Sequence, residues 1–299
     1  MKKAFTLLEL IFVIVILGIV SSIGSSVIVQ VYESYIIQKA THNASIKTEL
    51  AINQLANRLA YRINRSLVAR KPGTDSILTL QQVTTTTLNK DDYTALEWIG
   101  YDNDGFTATN PPGWSGFTDL NASSFTTISS TGSDFNTENT VLTNLGIASP
   151  AIIFMANRYD DNSTEGYTAQ CLHDRTGNGC IFPVTLAGTT MTFTGGGKRA
   201  AGNMVYSEFY QLAGSAYIVV PENKHTILGT DVWDLVLYSQ YQPWKGERYD
   251  SATGKLIAKN VSVFRFKEET NSLRIKICSI EQISDTDKIS LCKEKAVIR

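Results

Sequence analysis

From Phe5 to Val29 the chain reads FTLLELIFVIVILGIVSSIGSSVIV, an apolar run in which Glu9 is the only charged side chain. At a helical rise of about 1.5 Å per residue it spans roughly 37 Å, enough for the core of a bilayer even with some tilt. Lys2 and Lys3 stand just before it. Positive charge is retained on the cytoplasmic side, so everything after Val29 is directed outside. Two residues thus set the orientation of all that follows.

Three readings compete for this segment. In the first it is a secretory signal peptide, cut near the small residues Ser21 to Ser26. In the second it is a plain single-span anchor. The third accounts for Glu9, because a carboxylate inside an apolar helix is costly and marks a functional contact. Cleavage between Ala4 and Phe5 would create a positive amine one helical turn from Glu9, and a neighbouring subunit could offer that amine as the partner.

The stretch KKAFTLLELIFVIVILGIV resembles the class III signal of type IV prepilins and pseudopilins, which fixes leader charge, cleavage residue, aromatic first residue, acid position and apolar length together. The resemblance covers about thirty residues. It implies that a prepilin peptidase cuts after Ala4 on the cytoplasmic face and methylates Phe5, and that Glu9 registers the incoming subunit. It also implies an inner-membrane assembly platform with a cytoplasmic ATPase, neither of which this chain contains. The family usually has glycine where Ala4 stands, and alanine is small enough to fit the same cut. The expected location is the bacterial inner membrane, single pass, with the N-terminus cytoplasmic and the head periplasmic or extracellular. A cell-surface or periplasmic filament follows, its subunits joined through the same helix that the bilayer holds before assembly. Fibre subunits of this family often unwind locally in this part of the helix, which here points to Gly18 and Gly24 with the serines between and beside them.

After Gln30 a helical pattern continues without Pro or Gly as far as Pro72-Gly73, which is read as its stop. Ile52, Leu55, Leu59, Ile63 and Leu67 recur at helical spacing and form an apolar stripe for something to cover. A single helix from Phe5 to Arg70 would be close to 100 Å long. Residues 72–149 are rich in Thr, Ser, Asn and Gly and read as an exposed, loop-rich region with a few short strands. Trp98, Tyr101, Phe106, Trp114 and Phe117 form within it either an exposed aromatic patch or a small core.

From Pro150 onward strands are expected at Ala151 to Ala156, Ile181 to Leu186, Thr189 to Thr194, Met204 to Tyr210, Ala216 to Val220 and Val232 to Tyr238. A closing hairpin is expected from Asn260–Phe266 and Leu273–Ile280, with Leu273, Ile275 and Ile277 on the face that the helix stripe covers. The fold class is α+β, a long N-terminal helix packed on an antiparallel β-sheet head. The expected division is 1–4 leader, 5–29 transmembrane and filament-core helix, 30–71 amphipathic continuation, 72–149 exposed region and 150–299 β-rich head. A subunit this large, with Phe264-Arg265-Phe266 before a basic hairpin, resembles the larger minor subunits of the family.

The four cysteines, Cys171, Cys180, Cys278 and Cys292, fall in two local pairs without the CxxC spacing of a zinc or redox site. Outside the cytoplasm two local disulfides are expected, the alternative being four reduced, buried thiols. A Cys278–Cys292 bridge would resemble the C-terminal disulfide-bounded loop of many pilins.

Chemistry is sparse. With 27 Lys plus Arg against 28 Asp plus Glu, no basic field exists to hold nucleic acid. The three histidines, His42, His173 and His225, lack zinc spacing. There is no G-x-S-x-G elbow, and Gly195-Gly196-Gly197-Lys198-Arg199 lacks the first glycine and the Ser or Thr of a phosphate loop. No cofactor and no catalytic residue is expected. Calcium is the one metal considered, at Asp102 and Asp104 within Asp102-Asn103-Asp104-Gly105, or at Asp160-Asp161-Asn162 with Glu165. Turn formation explains the same residues. The function expected is a structural subunit, a minor pilin or pseudopilin. The alternative is an exported binding module or adhesin that recognises a surface or glycan through its loop-rich head.

Overall fold

The computed structural model describes residues 7–63, 65–83, 93–107, 110–155, 168–176, 180–195, 207–269 and 272–298. The first element, α1, is a helix of 54 residues, Leu7–Ala60, about 80 Å long at the standard rise. Its head-side end is buried on Ala44, Thr48, Ala51, Ile52, Leu55, Ala56 and Leu59, one face at helical spacing.

The strands and short helices follow in chain order: β1 (Val68–Arg70), β2 (Ile77–Thr79), β3 (Ala95–Tyr101), α2 (Asn103–Thr107), β4 (Thr127–Ser129), α3 (Phe135–Asn144), β5 (Ala151–Phe154) and α4 (Ala169–Leu172). Then come β6 (Phe182–Ala187), β7 (Thr190–Phe193), β8 (Tyr210–Ile227), β9 (Thr230–Tyr241), β10 (Lys255–Glu269), β11 (Ser272–Gln282) and β12 (Lys288–Ile298). All the pairings among these described strands are antiparallel. The strand β8 organises the sheet. It pairs with β9 over Ala216–Ile227, with β5 over Tyr210–Ala213 and with β3 over Ala213–Val219, so the sheet branches there. One arm runs β9-β10-β11-β12, another β5-β6-β7-β4, and β1 and β2 extend beyond β3.

This branching gives two cores. The helix-side core packs Ala51, Ile52, Leu55 and Leu59 against Leu96, Trp98, Val219, Phe264, Leu273, Ile275 and Ile277. The α+β class and the hairpin face foreseen for the stripe are therefore observed. Alternation sends Ala95 and Ile99 of β3 to the other face, where they join Trp114, Phe135, Leu142, Phe182 and Leu212. Polar links fix the helix register: Thr48 Oγ1 meets Ser279 Oγ at 2.7 Å, and Lys293 reaches Glu49 at 3.2 Å.

The helix ends ten residues before Arg70, which corrects the expected 30–71 continuation. Tyr61 and Arg62 N–H groups turn back to Arg58 and Leu59 carbonyls at 3.3 Å, and Ile63 N–H donates to Ile99 at 2.8 Å. Arg65 takes a left-handed φ of 63°. Ile63 and Leu67 are buried, but as extended chain beside β3 rather than as part of the helical stripe. A free strand edge offers backbone partners that outcompete further helical turns, so the absence of Pro and Gly does not prolong the helix.

Residues 72–149 are also not simply an exposed layer, because β3 is buried at the centre of the sheet and Trp98 is 0% exposed. Strand β1, helix α3 and the last strand, β12, are additional to those expected, while β2, β3 and β4 are short strands of the kind expected within 72–149. The expected Met204–Tyr210 strand lies largely outside the described residues, and Tyr210 opens β8. Expected strands at Ala216–Val220 and Val232–Tyr238 are the middles of longer ones.

Both cysteine pairs form disulfides, Cys171–Cys180 and Cys278–Cys292. The second joins directly opposed residues of β11 and β12, with Cα atoms 4.0 Å apart. Closing a loop with a sequence separation of 14 restricts the unfolded chain by about 2–3 kcal/mol. Replacing both Cys278 and Cys292 by Ala should therefore lower stability by about 2–3 kcal/mol, read as a lower denaturant midpoint with a steeper slope, because the unfolded chain loses its cross-link and exposes more surface.

Candidate functional site

No described residue of α1 before Ala44 is fully buried. Its apolar side chains stand open, from Leu7 at 77% exposed through Ile14 at 63% and Ile28 at 70% to Tyr35 at 58%. The most apolar window of the helix has a mean hydropathy of 2.6 and is 0% buried, so the helix is long and apolar enough to cross a membrane. From Leu7 to Asn43 it extends about 55 Å, well beyond the roughly 30 Å of a bilayer core. Glu9 lies in the first turn of this helix. Gly18 and Gly24 lie within its unbroken run, and a Cβ at either would meet nothing within 4 Å. Lys2, Lys3, Ala4 and Phe5 lie outside the described residues.

In the head, β1 and β3 bring together a buried polar cluster. Arg70 Nε donates to Glu97 Oε2, with side chains 1% and 0% exposed. Tyr241 Oη donates to Glu97 Oε1 at 2.7 Å. His173 donates from Nε2 to the Ser66 carbonyl at 2.6 Å and turns Nδ1 toward Glu97 Oε2 at 3.5 Å. Burial holds the His173 imidazole below its ordinary 6.5. Burial also opposes the Glu97 charge, but the charges and hydrogen bonds from His173, Arg70 and Tyr241 outweigh it and leave Glu97 below the usual carboxylate range. The Cys171–Cys180 bridge closes the segment that carries His173.

The Asp102 and Asp104 pair is divided. Asp102 Oδ1 accepts the Asp104 and Gly105 N–H groups at 3.1 and 3.2 Å, which caps α2 as the turn reading expects. Its carboxylate neighbour is Glu138 of α3, which the sequence reading missed. Among the described residues no group of three or more His, Cys, Asp or Glu side chains gathers as a metal site. The Asp160-Asp161-Asn162 cluster and Glu165 lie outside those residues. The aromatic set also splits: Trp98 and Trp114 are core, Tyr101 is half-buried, and Phe106 and Phe117 are 44% and 53% exposed.

Fold and helix together give an antiparallel head on one helix whose uncovered half is long and apolar enough to cross a membrane. The chain matches the family described as "Prokaryotic N-terminal methylation motif" over residues 1–25. With that motif on a long helix packed against an antiparallel head, the chain is similar to type IV pilins and pseudopilins in its N-terminal segment and in its plan. Neither the comparison with curated proteins nor that with solved structures finds a match.

Proposed function

We propose that the chain is a precursor inserted in the inner membrane, cleaved after Ala4, methylated on Phe5 and polymerised through its apolar Phe5–Val29 run. The observation that carries this reading is the fully uncovered apolar length of α1 with Glu9 in its first turn, inside the matched motif. An apolar surface of this length is covered by lipid before assembly and by neighbouring helices afterwards. Its partners would be a prepilin peptidase, an inner-membrane platform with a cytoplasmic ATPase, and other pilin or pseudopilin subunits. Lys2 and Lys3 hold the leader in the cytoplasm, and the head lies on the outer side. Gly18 and Gly24, with Ser21, Ser22, Ser25 and Ser26, are where the helix would unwind in a fibre, because these residues have low helix propensity.

The test is the mature N-terminus, read by mass spectrometry on protein from cells that contain the peptidase. The expected species begins at Phe5 with one added methyl group. A start between Ser21 and Ser26 would reject the filament reading in favour of simple export.

A further inference from the structure

We propose that the cleft between the last turns of α1 and the β8–β9 pair binds a short neutral oligosaccharide. The cleft holds about 570 Å³, within the range of small-ligand sites. Among the described residues its aliphatic walls are Leu145 and Ile147, and the rest are glycine, polar or aromatic. Such walls suit neither a lipid chain nor an apolar peptide face. Arg58 and Lys255 are set against Asp102 and Asp104, so the cleft offers no net charge to a polyanion. A ligand rich in hydroxyl groups, each both donor and acceptor, matches that mixture.

Planar hydrogen-bonding groups pair well with adjacent hydroxyls of a sugar ring, and amides line this cleft from two sides. Gln54 and Asn57 stand exposed on the last turns of α1. Gln240, at the end of β9, is fixed in place: its Nε2 donates to the Leu145 carbonyl at 2.8 Å, which leaves Oε1 as an acceptor. The Gln240 backbone has a left-handed φ of 63°, and its N–H donates to Ser215 Oγ at 2.8 Å. Strain of this kind in a cleft wall is what accompanies binding sites.

Arg58 is positioned by stacking. Its Cζ lies 5.7 Å from the centre of the Tyr217 ring, and that ring stacks in turn on Trp98 at 5.6 Å and 15°. Gly100 permits this column, since a Cβ there would come within 2.7 Å of the Tyr217 ring. Stacking uses the face of the guanidinium and leaves its in-plane N–H groups for a ligand. Tyr61, 43% exposed, meets Tyr101 edge-on at 5.8 Å and adds ring surface for the C–H face of a sugar.

These groups are carried by a helix and by strands of the sheet, α1, β3, β8 and β9, so little ordering is left to oppose binding. The site lies in the head and does not depend on how the N-terminus is processed.

The experiment uses the full chain in a detergent without a sugar head group, applied to an array of neutral and acidic oligosaccharides, then titration calorimetry with the neutral sugar best retained. Gln54→Ala combined with Asn57→Ala should weaken that binding about tenfold, the loss of two neutral hydrogen bonds. Tm should stay within about 2 °C, since both positions are exposed. Lys255→Ala, on β10 rather than the helix, should weaken binding as well, so that a helix defect does not explain the loss. Lys276→Ala, exposed in a separate groove of β10 and β11, should leave it unchanged. Retention of no neutral sugar, retention of acidic sugars alone, or equal affinity in the unaltered chain and the double variant would overturn the proposal.

Discussion

Arg70→Met should lower the unfolding free energy by about 3–5 kcal/mol, because it strands the Glu97 carboxylate in the centre of the head without its cation. The loss exceeds what the ion pair itself contributes, since a buried charge left alone carries its full desolvation cost. Arg70 and Glu97 are 1% and 0% exposed, so water cannot take the place of the guanidinium. The pH dependence separates this cause from lost packing. In the unaltered protein both His173 and Glu97 are held below their ordinary values of 6.5 and 4.5. Groups depressed in the fold give stability that is present above those values and lost as pH falls through the folded ones, so the unaltered head weakens from about pH 6.5 downward.

The variant behaves in the opposite sense. With Arg70 gone, a proton taken up by Glu97, or by His173 Nδ1 at 3.5 Å from it, restores neutrality. The difference between variant and unaltered chain should narrow as pH falls below 6.5. Denaturant titrations of the full chain in detergent at several pH values would check it. A deficit that stays constant with pH would assign the effect to packing alone.

The elements legible in the sequence were those whose pattern is local. The apolar span, its single acid and the alternation of Leu273, Ile275 and Ile277 need no knowledge of the rest of the chain, and α1 and β11 follow from them. The errors fall where a distant partner decides. Helix α1 stops at Ala60 because the carbonyl of Ile99 captures the Ile63 N–H, a contact 36 residues away in sequence. Strand β12 carries alternating lysines and reads as a polar tail until β11 pairs with it over its whole length.

Among the polar residues, Glu97 gave a signal that went unused: a single charge inside Leu96-Glu97-Trp98-Ile99 must be either exposed or paired. Glu138 gave none, since an acid in the first turn of a polar helix is ordinary. Only the approach of α3 to Asp102 makes it unusual.

Glu9→Ala should leave membrane insertion intact and reduce incorporation into filaments by more than about tenfold, the factor that corresponds to roughly 1.4 kcal/mol. Insertion depends on apolar length and on the Lys2 and Lys3 charge bias, and removing a carboxylate makes the span more apolar. Incorporation depends on what the carboxylate meets. Within apolar surroundings a carboxylate opposite the new amine of a neighbouring Phe5 would be strongly attracted, while a subunit lacking it leaves that amine without its counter-charge. The defect should therefore appear at the docking step and not in the fold of the head, whose first buried helix residue is Ala44, far along α1 from Glu9. Glu9→Asp should recover part of the yield by keeping the charge at a shorter reach, whereas Glu9→Gln, similar in shape but neutral, should behave like Ala. Sheared filament yield, measured against membrane-bound precursor in the same cells, reads both quantities together. Equal yield from Gln and Glu at this position would remove charge pairing as the basis of assembly.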